Sequence, residues 1–152
     1  MRPFRGMPHR ATSLVMFIIT LVMSQNVSAA ELKFRITGID VNRGGTILAG
    51  LYASEDTYPK PGYEVAGLVL PVQGDQIVAS FEDLPPGNYV IGLLHDEDQD
   101  LAMDYGFLGI PLEGYGFSGT KNAPLFPPQF RQVAFDLESN DVQTTEIQLK
   151  YL

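Results

Sequence analysis

Leu32-Lys33-Phe34-Arg35-Ile36-Thr37 alternates apolar and polar side chains without a break. That period of two belongs to a β-strand buried on one face only. The same rhythm continues downstream. Asn42-Arg43-Gly44-Gly45 is a turn signal, and Thr46–Tyr52 is a second strand, expected to form a hairpin with the first. Val65–Val72 and Gln76–Phe81 read as a third and a fourth, separated by Gly74-Asp75. Asp83-Leu84-Pro85-Pro86-Gly87-Asn88 is excluded from helix, because two prolines remove donors and fix the backbone. Tyr89–Leu94 is nearly all apolar, which predicts a strand covered on both faces. Gln132–Leu137 and Thr144–Tyr151 alternate again on either side of Asn140-Asp141. Short strands at close intervals, with no convincing amphipathic helix, predict an all-β fold: a single antiparallel β-sandwich of about seven strands with a long aromatic-rich loop. An up-and-down barrel is the competing architecture.

Upstream of this domain, Arg2, Arg5 and Arg10 precede an apolar run, Leu14–Met23. Ser24-Gln25-Asn26 and the small residues Val27-Ser28-Ala29 close it. A basic start, an apolar centre and a small-residue cleavage site are the three parts of a secretory signal peptide. The run is about half of the roughly 20 residues a membrane-spanning helix needs. Residues 1–29 are therefore expected to be cleaved, leaving a domain over 30–152, exported to the periplasm or beyond, with no transmembrane helix in the mature chain. The chain contains no cysteine, so no lipid-anchoring cysteine follows the leader and no disulfide staples the domain. All eighteen acidic residues lie after Ala30. Of ten basic residues the leader holds three, so the mature chain carries seven against eighteen, a formal charge of −11. Such a surface repels nucleic acid and attracts cations.

Between Asp96 and Arg131 the strand rhythm is lost. Ordered domains seldom keep loops beyond about 15 residues without a function for them. This segment contains Tyr105, Phe107, Tyr115, Phe117, Phe126 and Phe130. That aromatic content argues for an ordered lid, packed against one end of the sandwich. It opens with His95-Asp96-Glu97-Asp98-Gln99-Asp100-Leu101-Ala102-Met103-Asp104. Carboxylates at positions one, three, five and nine of a tight loop can converge on calcium, a hard cation that takes six to eight oxygens. The expected ligands are Asp96, Asp98, Asp100 and Asp104, with the Ala102 carbonyl, and Glu113 as a more distant carboxylate. The loop departs from the EF-hand pattern, which requires Gly at position six and Glu at position twelve. Leu101 and Phe107 occupy those places. The alternative is a solvated acidic turn.

His95 is the one histidine of the mature chain, and it ends an apolar strand. One histidine and no cysteine do not make an ordinary zinc site. Gly114-Tyr115-Gly116-Phe117-Ser118-Gly119 matches G-x-G-x-x-G formally, but Pro124, Pro127 and Pro128 come next, where a nucleotide site needs a helix. Its glycines are expected to serve tight turns around buried aromatics. A hydrolase using His95 with an acidic residue or Ser118 is the rival to a non-enzymatic module.

Taken together, the Leu84-Pro85-Pro86-Gly87-Asn88-Tyr89 turn, the His95–Asp98 block with Asp104, and Gly109-Ile110-Pro111-Leu112-Glu113-Gly114-Tyr115-Gly116-Phe117-Ser118 resemble an exported bacterial family, the domain-of-unknown-function family twenty-one forty-one. The resemblance covers about Leu32 to Leu152. It implies a transthyretin-like or immunoglobulin-like β-sandwich, export, and no established activity. Its acidic loop usually has Gly and Leu where this chain has Leu101 and Met103. The expectation is thus an envelope module of unknown activity. Its partner would be a small molecule or an envelope protein, met by a surface of His95, Tyr105, Phe107, Glu113, Tyr115, Phe117 and Ser118.

Overall fold

The computed structural model describes residues 29–152. The leader read from the sequence lies outside the described residues. Eight strands form: β1 (Ala30–Thr37), β2 (Thr46–Tyr52), β3 (Ala66–Pro71), β4 (Gln76–Leu84), β5 (Gly87–Asp96), β6 (Gly114–Phe117), β7 (Phe135–Leu137) and β8 (Val142–Gln148). One turn of helix, α1 (Phe130–Val133), precedes β7. No helix among the described residues is long and apolar enough to cross a membrane.

Two sheets result. One runs β4-β1-β8, with β1 antiparallel to β4 and parallel to β8. The other runs β3-β2-β5-β6, and β7 pairs with the opening residues of β5. The alternation read in β1 is observed directly: Leu32, Phe34 and Ile36 are fully buried, and the residues between them are not. They meet Ile47, Leu51 and Ile91 of the other sheet in one sandwich-like core, where Phe34 and Phe81 stack at 5.4 Å.

Five expectations are corrected. The strands number eight rather than seven, and the β1–β8 pair makes the fold mixed rather than antiparallel. β1 and β2 do not form a hairpin; they belong to different sheets. Residues 38–45 exceed the two to five residues of a hairpin loop. They carry a 3₁₀ turn at Val41–Arg43, capped by Asp40, then Gly44 and Gly45 at positive φ, which swing the chain across the core. The strand read over Gln132–Leu137 splits into the end of α1 and the short β7, because Ala134 N–H closes the helical turn onto the Phe130 carbonyl. Lastly, the aromatic segment contains a strand, β6, and packs on the outer face of the five-stranded sheet rather than against one end. There Tyr115, Phe117, Phe130 and Val133 form a second core with Tyr52, Tyr58 and Val90. Tyr89, Ile91 and Leu93 face the first core and Val90 the second, so β5 is covered on both sides, as its composition implies.

Candidate metal centre

The end of β5 creates the site. His95 pairs with Gly114 in the β5–β6 ladder. The next residues outward, Asp96 on β5 and Glu113 on the approach to β6, are thereby brought side by side. Asp96 is 0% exposed and Glu113 is 4% exposed. With the more open Asp98 they form a group in which one carboxylate oxygen from each lies within 4.8 Å of the others. Oxygens around one calcium at about 2.3–2.6 Å are separated by up to about 5 Å, so three carboxylates of one coordination sphere fit this spacing.

Backbone amides shape the loop around these carboxylates. Asp96 Oδ1 accepts from the Asp100 N–H at 3.2 Å, and Oδ2 accepts from the Leu101 N–H at 3.1 Å. Glu113 Oε1 accepts from Glu97 N–H at 2.8 Å, and Oε2 from Asp104 N–H at 3.1 Å. Glu113 thus ties the two ends of the acidic loop together. Burial raises its carboxyl above the ordinary range, the two amide bonds pull the other way, and the nearby Asp104 and Asp96 raise it again. Among the described residues, Asp96, Asp98 and Glu113 make no salt bridge.

Asp100 and Asp104 are not part of the group. Asp100 Oδ1 turns back to accept from the Ala102 N–H at 2.8 Å, a local side-chain turn that competes with convergence on a common point. Asp104 contributes its backbone: its N–H goes to Glu113 and its carbonyl accepts from Leu112 N–H at 2.9 Å. Leu101, where the resembled family has Gly, adopts φ +67 and is 65% exposed. A branched side chain in the left-handed region costs about 1–2 kcal/mol. Leu101→Gly is expected to recover part of that cost, offset by the greater freedom of glycine in the unfolded chain. Urea unfolding should show a net gain of about 0.5–1 kcal/mol, and a net loss would mean that Leu101 packing matters more than its backbone.

His95 lies behind this loop, fully buried. Its Nε2 is 2.6 Å from the Gly44 carbonyl, which can only accept, so Nε2 carries the proton. Nδ1 lies 2.6 Å from the Tyr151 hydroxyl in a second hydrogen bond, and the Tyr151 oxygen accepts from Asp40 N–H. Both ring nitrogens are occupied. Ser118 is also buried, with Oγ accepting from Ile91 N–H at 3.0 Å and donating to the Val133 carbonyl. Ser118 N–H bonds Ile91, four residues along β5 from His95, which is about 13 Å at strand rise. The structure does not bring His95 and Ser118 together.

Of the aromatics, Tyr105 and Phe107 are exposed, whereas Tyr115 and Phe117 are buried in the second core. The expected turn role of the Gly114–Gly119 glycines is corrected: Gly114 and Gly116 lie within β6, and only Gly119 has a positive φ. A side chain at Gly114 would strike the Tyr151 ring, and one at Gly116 would crowd the Gln148 carbonyl. These glycines admit β8 and the C-terminal residues close to β6.

Arg43 is a residue that the sequence patterns do not single out. Its Nη1 binds Glu97 Oε1 at 2.6 Å, its Nε binds Asp40 Oδ2 at 3.3 Å, and its guanidinium lies 4.7 Å from the centre of the Tyr151 ring. It clamps the 3₁₀ turn to the acidic loop. Its only sequence signal is its place beside Gly44-Gly45 in a loop expected to be a simple hairpin turn.

The acidic loop, His95 and Glu113 fall inside the region that matches a family model. Residues 35–145, from β1 into β8, match the model described as an uncharacterized protein conserved in bacteria (DUF2141). No curated protein and no solved structure gives a match. The chain belongs to this bacterial family.

Proposed function

We propose that the protein is an exported, non-enzymatic envelope module whose Asp96–Asp104 loop and Glu113 bind calcium. One observation carries the reading: two buried carboxylates and a third, more open one share one small volume, with no basic side chain among the described residues bridged to them. Buried charge is costly unless it is paired or coordinates a metal. Backbone amides offset part of that cost, and a divalent cation would offset the repulsion that remains. Asp96, Asp98 and Glu113 supply the protein oxygens, and water completes the shell.

Export follows from the leader pattern, and the position of the first strand accords with it. Ala30 is buried and starts β1, so cleavage after Ala29 would leave both sheets whole. Outside the cytoplasm, calcium modules work at dissociation constants of about 10⁻⁴–10⁻³ M. A hydrolase gains no support from this geometry, since His95 has no free nitrogen and Ser118 is buried elsewhere.

The test is calcium titration of the exported protein by calorimetry and thermal unfolding. At 10 mM calcium such an affinity stabilises the fold by about 1.5–2.7 kcal/mol. That corresponds to a midpoint raised by about 5–10 °C for a domain of this size. Asp96→Asn should abolish the shift. The sign with pH is also set. Because the folded Glu113 carboxyl is raised, its ionisation weakens the calcium-free fold as pH climbs from below the ordinary carboxyl range through the raised one. Calcium takes the ionised form, so its stabilising shift should shrink as pH falls through that range. Absence of any heat or midpoint change at 10 mM calcium would refute the proposal.

A further inference from the structure

Three glycines form one row across the five-stranded sheet. Gly67, Gly50 and Gly92 are paired in register on β3, β2 and β5, and Phe117 of β6 ends the row. On β2, Ile47, Ala49 and Leu51 point into the main core, so Gly50 belongs to the opposite, outer face. A row without side chains leaves a trough in that face. The aromatic segment crosses over it, and a cavity of about 550 Å³ remains between them. That volume lies within the usual range of small-molecule sites, roughly 300–1,000 Å³.

The cavity walls include Tyr52, Tyr115 and Phe117, and Glu64 is the one acidic or basic residue among the described residues that line it. Glu64 is held in place there. Its Oε1 accepts the Tyr52 O–H at 2.9 Å, and its Cγ lies only 2.8 Å from where a Cβ on Gly50 would stand. The carboxylate is therefore laid across the glycine row by a buried tyrosine. Among the described residues no lysine or arginine bridges it, and its other oxygen accepts no hydrogen bond. An anchored carboxylate without a cation, amid aromatic rings, is complementary to an organic ammonium. The carboxylate attracts the charge, and the rings attract the polarised methyl or methylene groups around nitrogen.

We propose that this cavity binds a small organic cation, an ammonium carried on an apolar body, with Glu64 as its counter-charge and Tyr52, Tyr115 and Phe117 as its aromatic enclosure. A fatty acid or another anion would set its charge against Glu64 and against a chain of net charge −8. A neutral apolar ligand would cover the free Glu64 oxygen and give it no partner. None of the clustered carboxylates Asp96, Asp98 and Glu113 lines this cavity, although Leu101, Ala102 and Met103 of the acidic loop form part of its wall, so binding is tested with the loop kept free of calcium.

The probes are 3-phenylpropyl-trimethylammonium, its neutral isostere with a tert-butyl group in place of the ammonium, and 4-phenylbutyrate. Binding to the exported protein in the presence of a chelator is followed by calorimetry and by the amide NMR shifts of Gly50 and Gly92. The ammonium should bind about tenfold or more tightly than the neutral isostere, as a cation–π contact with a paired charge implies, and the carboxylate should not bind. Glu64→Gln keeps an acceptor for the Tyr52 hydroxyl, so the wall stays in place, and it should erase the preference. Gly92→Leu should fill the trough and remove binding of both, with its fold checked by circular dichroism. Equal or tighter binding of the isostere or the carboxylate would overturn the proposal. So would ammonium binding that ignores Glu64→Gln, shifts confined to amides remote from the glycine row, or no binding by any probe at 10 mM.

Discussion

Replacing Glu113 by alanine is expected to destabilise the domain by about 3 kcal/mol and to remove its response to calcium. The side chain joins two places that β-pairing alone does not join. Through Glu97 N–H it holds the start of the acidic loop, and through Asp104 N–H it holds the end. A hydrogen bond to a charged group contributes roughly 1.5–3 kcal/mol, and a buried donor left without a partner forfeits about 1–3 kcal/mol. Two such bonds would give more than 3 kcal/mol, but both amides are partly buried rather than sealed, so water recovers some of the loss. Desolvation of the carboxylate, which raises its pKa, also subtracts from what the native side chain contributes. For a domain of this size the midpoint should fall by about 10 °C. Glu113→Gln keeps one acceptor oxygen and should lose about half as much, while still losing calcium binding because the charge is gone. Urea unfolding of both variants, with and without calcium, checks the pair. A loss below about 1 kcal/mol for Glu113→Ala would mean that the loop is held by its own Asx-type turns and not by Glu113.

The same residue marks the limit of reading the chain from its sequence, where it is expected only as a more distant carboxylate, whereas the structure sets it in one group with Asp96 and Asp98. The first five strands are visible because apolar–polar alternation and Gly, Pro and Asn punctuation act locally. Their partners are not visible, because whether β1 pairs with β2 or with β4 depends on which faces meet across the core. β6 escapes notice for a physical reason: Gly114-Tyr115-Gly116-Phe117 has the period of two, but half its positions are glycine, the poorest evidence for a strand. Those glycines are required by the Tyr151 ring and by the backbone of β8, which arrive from the far end of the chain. The acidic loop shows the same division. Asp96 and Asp98 are recognised by spacing. Glu113 joins them because the β5–β6 ladder ends on the His95–Gly114 pair, which brings residues seventeen apart in sequence to facing positions just beyond it. Asp100, at a suitable spacing, is diverted by a hydrogen bond to an amide two residues on. Even spacing of carboxylates therefore predicts that a loop is tight better than it predicts which oxygens converge.

Gly45→Ala is expected to cost about 3 kcal/mol or more, although Gly45 itself carries no side chain into the acidic cluster. Its φ of +69 is the smaller part of the reason. A non-glycine residue there bears about 1–2 kcal/mol of backbone strain. The larger part is contact. A methyl group at Gly45 would collide with the carbonyl oxygen of Asp96 and would lie 2.7 Å from the Glu97 Cα. Both are backbone atoms at the end of a central strand, and neither can rotate away as a flexible side chain would. Forcing extra volume into such a place costs typically 1–3 kcal/mol in addition. The displacement would act on both neighbours of the turn at once. Gly44 supplies the carbonyl that fixes the His95 tautomer, and Arg43 supplies the clamp on Glu97. Gly62→Ala separates the two contributions, since Gly62 has φ +83 with open space around it, and only strain of about 1–2 kcal/mol is expected there. The His95 ring protons, followed by NMR, should move in Gly45→Ala and stay unchanged in Gly62→Ala. If both variants lose the same stability and the His95 signals agree, the close approach of the 3₁₀ turn to Asp96 is not what holds the acidic loop against the sandwich.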